Sequence, residues 1–268
     1  MHAATGPELC FDVPQAAAMP RFARNQRGRD FAVGDIHGCF SDLTRGLDAL
    51  GFDGQVDRLF SVGDLVDRGL ESSEAVEWLD RPWFHAICGN HDFMAWRSAL
   101  GIPYHGADHL RHGGAWLEKI SGPKRSRLGR RLRALPLALE IETSLGLIGM
   151  VHADCPFDDW REMQQVPWSK IDPTSAVAEC CLWSRERYTR QYPNPIKNVR
   201  AVIHGHATVP YVKVLGNVYF IDTGGWRSGG CFSFLELESL EAQSGPVSAP
   251  TAGRKNRWLR RVPALVGR

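Results

Sequence analysis

The sequence predicts an α/β (α+β) fold: a central β-sandwich of two mixed sheets flanked by helices. In the first half of the chain, three short apolar runs alternate with helical patterns, the order typical of βαβ units: 31–33, 59–62 and 84–87. In the second half the pattern changes to strand-like segments, several of them with alternating polarity. We expect these later segments to form a second sheet that faces the first.

The first helix is predicted from its apolar spacing and its ends. Leu43, Leu47 and Leu50 fall on one helical face. Ser41 is suited to the N-cap of this helix and Gly51 to its C-cap. Two further helices are predicted in this half, over 72–79 and 91–100.

A Gly- and Arg-rich insert at 101–136 separates the two halves, and we expect it to form a small helical cap. Its apolar residues are predicted to be buried: Leu117, Ile120, Leu128, Leu132 and Leu135. The second-half strands are predicted at 137–143, 145–151, 201–203, 209–214, 218–221 and 231–238.

The chain is long enough for one large core. Because its 268 residues are 43% hydrophobic, a single domain is predicted over 30–240. Residues 1–29 have no sustained period and are interpreted as a loose lead-in that contributes an edge strand near Phe22. Residues 241–268 are rich in Ser, Pro, Gly and Arg and are predicted to be a disordered basic tail.

Cysteine use and hydropathy narrow the class of protein. The seven cysteines are scattered and form no C-x-x-C pair, which argues against a disulfide framework or a zinc knuckle. A reducing compartment, the cytoplasm, is the expected location. No stretch approaches the ~20 apolar residues of a membrane helix, and residues 1–30 lack the apolar run of a signal peptide. We therefore expect neither secretion nor a membrane partner.

Polar side chains follow each of the three first-half strands. These strands run into GDIHG, GDLVDRG and GNHD. Because open α/β sheets place their sites at the carboxyl ends of strands, these side chains are expected at one edge. Asp35 and His37 are two positions apart, so both leave on the same side if the strand geometry continues, and there they can hold one cation.

The trio GDIHG, GDLVDRG and GNHD resembles the signature of the phosphoprotein phosphatase branch of the calcineurin-like metallophosphoesterases, in particular the serine/threonine phosphatases of bacteria and phage lambda. Further matching segments follow in the family's order, at 151–154, 182–187, 204–206 and 219–224. The resemblance covers residues from about 31 to 237. It implies the metallophosphoesterase fold, which agrees with the sandwich predicted above.

The resemblance also implies a centre of two divalent metal ions, with manganese favoured and iron or zinc as alternatives. The expected reaction is hydrolysis of phosphoprotein monoesters by a hydroxide that bridges the metals. The implied ligands are Asp35 and His37 for the first metal, Asn90, His152 and His206 for the second, and Asp64 as the bridge between them.

The same resemblance implies the remaining catalytic roles. His91 is expected to protonate the leaving oxygen and Asp67 to orient it, although a structural ion pair at a helix start is the alternative for these two. Arg68 and Arg185 are expected to bind phosphoryl oxygens, because a guanidinium offers two parallel donors to a tetrahedral anion. Arg187 lies close by in the sequence and is interpreted as a solvated charge.

The chain departs from the family's pattern beside GNHD. Cys88 stands where the family's protein phosphatases have an arginine, and Asp92 replaces their glutamate, which puts the binding of the phosphoryl group in question. His204 stands where the lambda enzyme has an apolar residue. A strand residue that faces the core is favoured there over an additional metal ligand.

Two other functions stay open. Symmetrical dinucleoside tetraphosphate hydrolases share GD-x-HG and GNHD but generally lack the Asp of VDRG, so Asp67 argues against them. A catalytically weak phosphopeptide-binding module is disfavoured because all six ligand positions are filled. The predicted partner is therefore a phosphorylated protein or peptide, and phosphotyrosine is an additional candidate substrate. The basic clusters of the cap and tail are interpreted as solvated faces, without a nucleic-acid partner.

Overall fold

Two six-stranded sheets pack face to face in the computed structural model, which describes residues 19–104, 108–172, 174–246 and 260–262. The strands are β1 (Arg21–Phe22), β2 (Asp30–Val33), β3 (Arg58–Ser61), β4 (Phe84–Ala86), β5 (Ala138–Thr143), β6 (Gly146–Val151), β7 (Ala201–His204), β8 (Lys213–Leu215), β9 (Val218–Phe220), β10 (Cys231–Glu236), β11 (Ala242–Pro246) and β12 (Arg260–Val262). The α-helices are α1 (Phe40–Leu50), α2 (Ala75–Leu79), α3 (Asn90–Ala99), α4 (Gly122–Arg133), α5 (Trp160–Gln165), α6 (Ala176–Trp183) and α7 (Glu186–Arg190). Short 3-10 helices lie at Ser72–Glu74, Leu110–His112, Gly114–Lys119 and Trp168–Lys170.

The first-half strands form the parallel core of one sheet. Its order is β12-β11-β10-β2-β3-β4, and β2, β3 and β4 run parallel as predicted. The segment predicted at 231–238 was assigned to the second sheet, and that assignment was wrong. It forms β10, which runs antiparallel to β2 with Leu235 opposite Ala32. Alternating polarity identifies a strand but does not specify which strand it pairs with.

The other sheet has the order β1-β5-β6-β7-β9-β8 and also mixes parallel and antiparallel pairs. The edge strand predicted near Phe22 is confirmed, because β1 pairs parallel with β5 and places Phe22 opposite Ile141. Strand β8 begins at Lys213, later than the predicted start at 209. The predicted class, a sandwich of two mixed sheets flanked by helices, is therefore confirmed.

The strands bury side chains on both faces because helices cover the outer faces of the sandwich. On β3, Phe60 lies in the layer between the sheets, whereas the neighbouring Leu59 lies on the helical side, and both are fully buried. Met150 and Ile203 belong to the same inner layer as Phe60. Burial of each such side chain stabilises the fold by about 2–3 kcal/mol. This layer fixes the edge at which the loops meet.

Helix α1 agrees with the capping prediction at one end only. The predicted C-cap is confirmed, because Gly51 has the left-handed φ of 63°. The predicted N-cap is wrong, because Cys39 occupies that position and Ser41 lies in the first turn. The N–H of Ser41 donates instead to the carboxylate of Glu71 at 2.8 Å. This contact joins α1 to the loop that follows β3.

The insert at 101–136 forms the predicted helical cap from two 3-10 helices and α4. Leu128 and Leu132 are buried, as predicted. Helix α4 packs on α3 at Gly129, where Leu100 occupies the space that a larger side chain would need. The cap is therefore attached to the helix that begins at GNHD.

The tail from 241 onward was predicted to be disordered, and this was wrong for two segments. Ala242–Pro246 pairs antiparallel with β10, and Arg260–Val262 pairs with that strand in turn. The rest of the tail and the lead-in before residue 19 lie outside the described residues. Within the described ranges, no helix has the length and apolar character needed to cross a membrane.

Candidate metal centre and catalytic site

The segments that follow five strands bring the predicted metal ligands to one edge of the sandwich. They are Asp35 and His37 after β2, Asp64 after β3, Asn90 after β4, His152 after β6 and His206 after β7. All six side chains are buried. The strand geometry does not continue through His37, whose φ is 46°, so the assumed extended conformation was wrong. A turn places this side chain at the site instead.

The first group of donor atoms comprises His37, Asp64 and His91, whose atoms lie within 4.8 Å of one another. Nε2 of His37 is 3.5 Å from Oδ2 of Asp64 and 3.9 Å from Oδ2 of Asp35. Asp35 is held by the backbone N–H of His206, which donates to its carboxylate at 3.1 Å. Asp35 and His37 therefore meet beside Asp64.

The second group comprises Asp64, His152 and His206, again with atoms within 4.8 Å of one another. Nε2 of His152 is 3.5 Å from Oδ1 of Asp64 and 3.0 Å from Oδ1 of Asn90. Asp64 belongs to both groups, and its two oxygens face different partners, Oδ2 toward His37 and Oδ1 toward His152. Its carboxylate is placed to serve two cations at once.

Burial keeps His37, His152 and His206 neutral, which is the form that binds a metal ion. Burial lowers the pKa of His37 to about 3 and that of His206 to about 2, and it also lowers the pKa of His152. Nδ1–H of His37 donates to the carbonyl of Val66 at 2.9 Å, and Nδ1–H of His152 donates to that of Val62 at 2.8 Å. These contacts leave the Nε2 lone pairs for coordination.

Buried carboxylates crowd the same space. Burial, with the nearby charges of Asp222 and Asp64, raises the pKa of Asp35 well above its usual range. Burial also raises the pKa of Asp222, which accepts a hydrogen bond from the hydroxyl of Thr208 at 2.7 Å; it lies in the matching segment 219–224 but was assigned no role in the site. Its sequence signal was its position at the end of an apolar strand segment. Carboxylates that repel one another beside neutral imidazoles suit divalent cations, so the residues present fit the implied pair of ions.

His91 and Asp67 form the predicted pair. Nδ1 of His91 lies 2.7 Å from Oδ2 of Asp67, and both side chains are buried. Nε2 of His91 lies 3.0 Å from a guanidinium nitrogen of Arg68. The backbone N–H of His91 donates to Oδ1 of Asp64 at 2.8 Å, which attaches the first turn of α3 to the shared carboxylate. The Nδ1 edge of the His91 ring is therefore held by Asp67, and its Nε2 edge faces Arg68.

Asp67 has two further donors that the sequence analysis missed. Nε2 of His109 lies 2.9 Å from Oδ1 of Asp67, and Nε1 of Trp116 lies 2.7 Å from the same oxygen. Both belong to the cap. The available signal was the pair Gly113-Gly114 just before the tryptophan, which indicates a tight turn. Nothing in the sequence connects that turn with a residue more than forty positions earlier.

The two predicted phosphate-binding arginines lie on the exposed rim of the site. One nitrogen of Arg68 is 2.7 Å from Nε2 of His37, and the guanidinium stacks 4.1 Å from the ring centre of Trp226. Arg185 donates to the carbonyl of His206 at 3.4 Å. Each arginine thus borders one donor group. The tryptophan that supports Arg68 was not predicted.

The predictions for Arg187 and His204 had different outcomes. Arg187 is not the solvated charge expected: it is buried, donates to the carbonyl of Asn194 at 2.7 Å and lies 3.7 Å from Asp154. Arg187 and Asp154 thus form a structural ion pair beside the site. The core position predicted for His204 is confirmed, because its ring is buried and Nδ1–H donates to the carbonyl of Val151 at 2.7 Å.

The two departures beside GNHD have structural consequences. Cys88 is buried, its thiol contacts the carbonyl of Gly89 at 3.4 Å, and burial raises its pKa well above the usual range. Its thiol is therefore protonated and provides no charge to a phosphoryl group. Asp92 accepts the N–H groups of Leu65 at 2.9 Å and Gly89 at 3.0 Å, so it joins the loops after β3 and β4.

Comparison with known proteins agrees with this geometry. Residues 31–210 match the family model described as "Calcineurin-like phosphoesterase". Serine/threonine-protein phosphatase 2 of Salmonella typhimurium is 33% identical over 214 residues, which cover 78% of this chain and 92% of that protein. The symmetrical bis(5'-nucleosyl)-tetraphosphatase of Aromatoleum aromaticum is 38% identical over 125 residues, which cover 46% of this chain and 43% of that protein.

A solved structure extends the likeness to nearly the whole chain. The cold-active protein-tyrosine phosphatase of a psychrophilic Shewanella species matches 91% of this chain and 87% of its own, with a TM-score of 0.62 and 16% sequence identity. At that identity the likeness concerns the fold alone.

Proposed function

The chain belongs to the calcineurin-like phosphoesterase family, and we propose that it is a metal-dependent phosphomonoesterase of the serine/threonine protein phosphatase type. The observation that carries this proposal is the buried His91–Asp67 pair, joined at 2.7 Å beside Arg68. An alkyl monoester needs a proton at its leaving oxygen, which a positioned imidazole can supply. The long match to the Salmonella phosphatase, over 92% of its length, supports the same choice.

We assign one divalent metal ion beside His37 and a second beside His152, with His91 left free of metal as the proton donor. When bound, two such ions supply positive charge for phosphoryl oxygens and lower the pKa of water toward neutrality. A donor set of imidazole, carboxylate and amide without thiolate favours manganese, with iron and zinc as alternatives. The proposed ligands are Asp35 and His37 for one ion, Asn90, His152 and His206 for the other, and Asp64 for both.

The chain's other site residues handle the phosphate and the leaving group. Arg68 and Arg185 bind phosphoryl oxygens from the rim, because each guanidinium presents two parallel N–H donors. Asp67 accepts Nδ1–H of His91, which fixes the orientation of the ring. Nε2 of His91 then delivers a proton to the leaving oxygen.

The proposed substrate is a phosphorylated protein or peptide. The two arginines are exposed on the rim, and the fully exposed side chain of Leu70 lies two residues after Arg68, where it can contact an extended peptide. All six cysteines within the described ranges are free thiols, which supports location in the reducing cytoplasm.

A second candidate is hydrolysis of symmetrical dinucleoside tetraphosphates. It is favoured by the tetraphosphatase relatives, although the match to the Aromatoleum protein covers only 46% of this chain. It is also favoured by the neutral Cys88 before GNHD, which stands where protein phosphatases typically have an arginine. The two candidates differ in substrate, so one assay distinguishes them.

The test compares a phosphoserine peptide, a phosphotyrosine peptide and diadenosine tetraphosphate with manganese-loaded protein. The phosphoserine peptide is expected to give the highest kcat/KM. A higher value for diadenosine tetraphosphate would replace the proposal with the second candidate.

A matched variant tests the role of the imidazole. His91→Asn is expected to keep both metal ions and to lower kcat for the phosphoserine peptide by ~10² or more, the usual worth of a positioned acid. The loss should be smaller for p-nitrophenyl phosphate, whose leaving group needs little protonation. Equal losses on the two esters would exclude His91 as the proton donor.

A further inference from the structure

The carboxylate of Asp67 is bound from two sides. On one side, Oδ2 accepts Nδ1–H of His91 at 2.7 Å. On the other side, Oδ1 accepts Nε2–H of His109 at 2.9 Å and the indole N–H of Trp116 at 2.7 Å. Asp67 is fully buried, so protein donors replace the water that would otherwise bind this charge.

The cap supplies both donors on Oδ1. The carbonyl of His109 accepts the N–H of Gly114 at 2.9 Å, and a side chain at Gly114 would collide with the imidazole. Gly113, with φ of 103°, lies against the backbone of Arg68, where a Cβ would come within 3.1 Å of the amide nitrogen. This turn is therefore fitted both to the imidazole of His109 and to the loop that carries Asp67.

Packing alone does not account for His109. Its side chain is only 8% exposed, and Nδ1 is buried without a hydrogen-bond partner in the part of the chain that the structure describes. Leaving a buried polar atom unpaired costs about 1–3 kcal/mol. The hydrogen bond that the ring makes through its other nitrogen goes to Asp67. An apolar side chain would fill this space without that cost, so the contact with Asp67 explains the histidine better than packing does.

We propose that His109 is a positioning residue that acts on His91 through Asp67, and that the cap is thereby part of the catalytic apparatus. The inference rests on the proposed function, because it needs His91 to deliver a proton. Two donors on Oδ1 fix the rotation of the carboxylate and keep Oδ2 in line with His91. When His109 is removed, Trp116 is the remaining donor to Oδ1 and the carboxylate of Asp67 rotates more freely. The imidazole of His91 then loses its alignment with the leaving oxygen.

The experiment compares His109→Ala with His109→Gln and Leu110→Ala in the manganese-loaded full chain. Gln keeps an N–H donor at the reach of Nε2, and Leu110 is an exposed residue of the same turn. His109→Ala is expected to lower kcat for an alkyl phosphate about tenfold, since small misplacements of catalytic groups are costly. KM should stay unchanged and p-nitrophenyl phosphate should be affected much less. Gln should restore most of the loss, and Leu110→Ala should have no effect.

A readout independent of turnover accompanies the kinetics. In zinc-loaded protein, whose metal ions are diamagnetic, the downfield proton resonance of Nδ1–H in His91 is expected to shift in His109→Ala and to return in His109→Gln. Equal losses of kcat on both esters without rescue by Gln, or an unchanged resonance, would overturn the inference and leave His109 a structural residue. Failure of the proposed function is seen separately, because wild-type protein would then not hydrolyse the esters, or His91→Asn would show no dependence on the leaving group.

Discussion

Replacing Asp64 with asparagine is expected to abolish binding of both metal ions, and with it the stabilisation that they give. Oδ2 of Asp64 lies 3.5 Å from Nε2 of His37, and Oδ1 lies 3.5 Å from Nε2 of His152, so one carboxylate serves both donor groups. An amide has one acceptor oxygen and no charge, and it cannot bridge two cations. His37→Asn and His206→Asn each change one group and should each remove one ion.

The expected size follows from binding linkage. At metal concentrations ~100 times each dissociation constant, one ion stabilises the folded state by about 2.7 kcal/mol and two by about 5.4 kcal/mol. At roughly 2–4 °C per kcal/mol for a domain of this size, manganese should raise the wild-type Tm by about 10–20 °C. The single-group variants should keep about half of this rise, and Asp64→Asn should show almost none.

The assay is thermal unfolding with chelator and with manganese, together with metal content by mass spectrometry. Expected stoichiometries are two ions for wild type, one for each histidine variant and none for Asp64→Asn. In the wild type the N–H of His91 donates to Oδ1 of Asp64 at 2.8 Å, and the asparagine oxygen can still accept this hydrogen bond. The metal-free variant should therefore have nearly the same Tm as metal-free wild type. A full equivalent of metal in Asp64→Asn, or an undiminished rise in Tm, would refute the shared carboxylate.

Three further changes test other parts of the structure. Burial lowers the pKa of His85 to about 4, below the unfolded value of 6.5, so the unfolded chain binds this proton more tightly and stability is lost as pH falls between those values. Between pH 7 and pH 5 the free energy of unfolding should fall by about 2 kcal/mol on account of His85, or by about 1 kcal/mol after allowance for the exposed part of the ring. Urea unfolding at the two pH values should show a smaller fall in His85→Gln than in wild type. Gly205→Ala would push a Cβ into Oδ1 of Asp35, so mass spectrometry should find metal lost from a protein that stays folded; full occupancy would contradict this contact. Trp226→Leu removes the stacking on Arg68, worth about 1 kcal/mol, and should raise KM for phosphopeptides ~5-fold with kcat little changed, whereas an unchanged KM would show that Arg68 is positioned by other contacts.

The metal-binding side chains could be predicted from sequence because each follows a strand directly. Asp35, Asp64 and Asn90 each come one or a few residues after an apolar run, and parallel strands deliver their carboxyl ends to one edge. Strand identity and chain order thus determine the place of these residues without knowledge of side-chain packing. The family resemblance added the ligands from the second half, His152 and His206.

The supporting residues could not be predicted because their partners are distant in the chain. His109 and Trp116 reach Asp67 from an insert whose pattern indicates only short helices. Trp226 meets Arg68 from a glycine-rich loop after β9, with no periodic signal. Local composition also failed in the tail, where Ser, Pro and Gly predicted disorder but sheet pairing with β10 decides the conformation. Such contacts are fixed by tertiary packing, which overrides local preference.

Backbone conformation marks the site independently of any family resemblance. Of the eight non-glycine residues with positive φ among the described residues, five carry site side chains: His37, Asp64, Asp67, Arg68 and His206. Left-handed backbone costs a residue with a Cβ on the order of 1 kcal/mol or more. Hydrogen bonds from neighbouring loops hold it here: the carbonyl of Asp64 accepts the N–H groups of Ile36 at 3.1 Å and His37 at 2.8 Å. Glycine would relieve the strain at these positions but would remove the ligand or the guanidinium, so the chain keeps an unfavourable local conformation where the proposed chemistry needs the side chain.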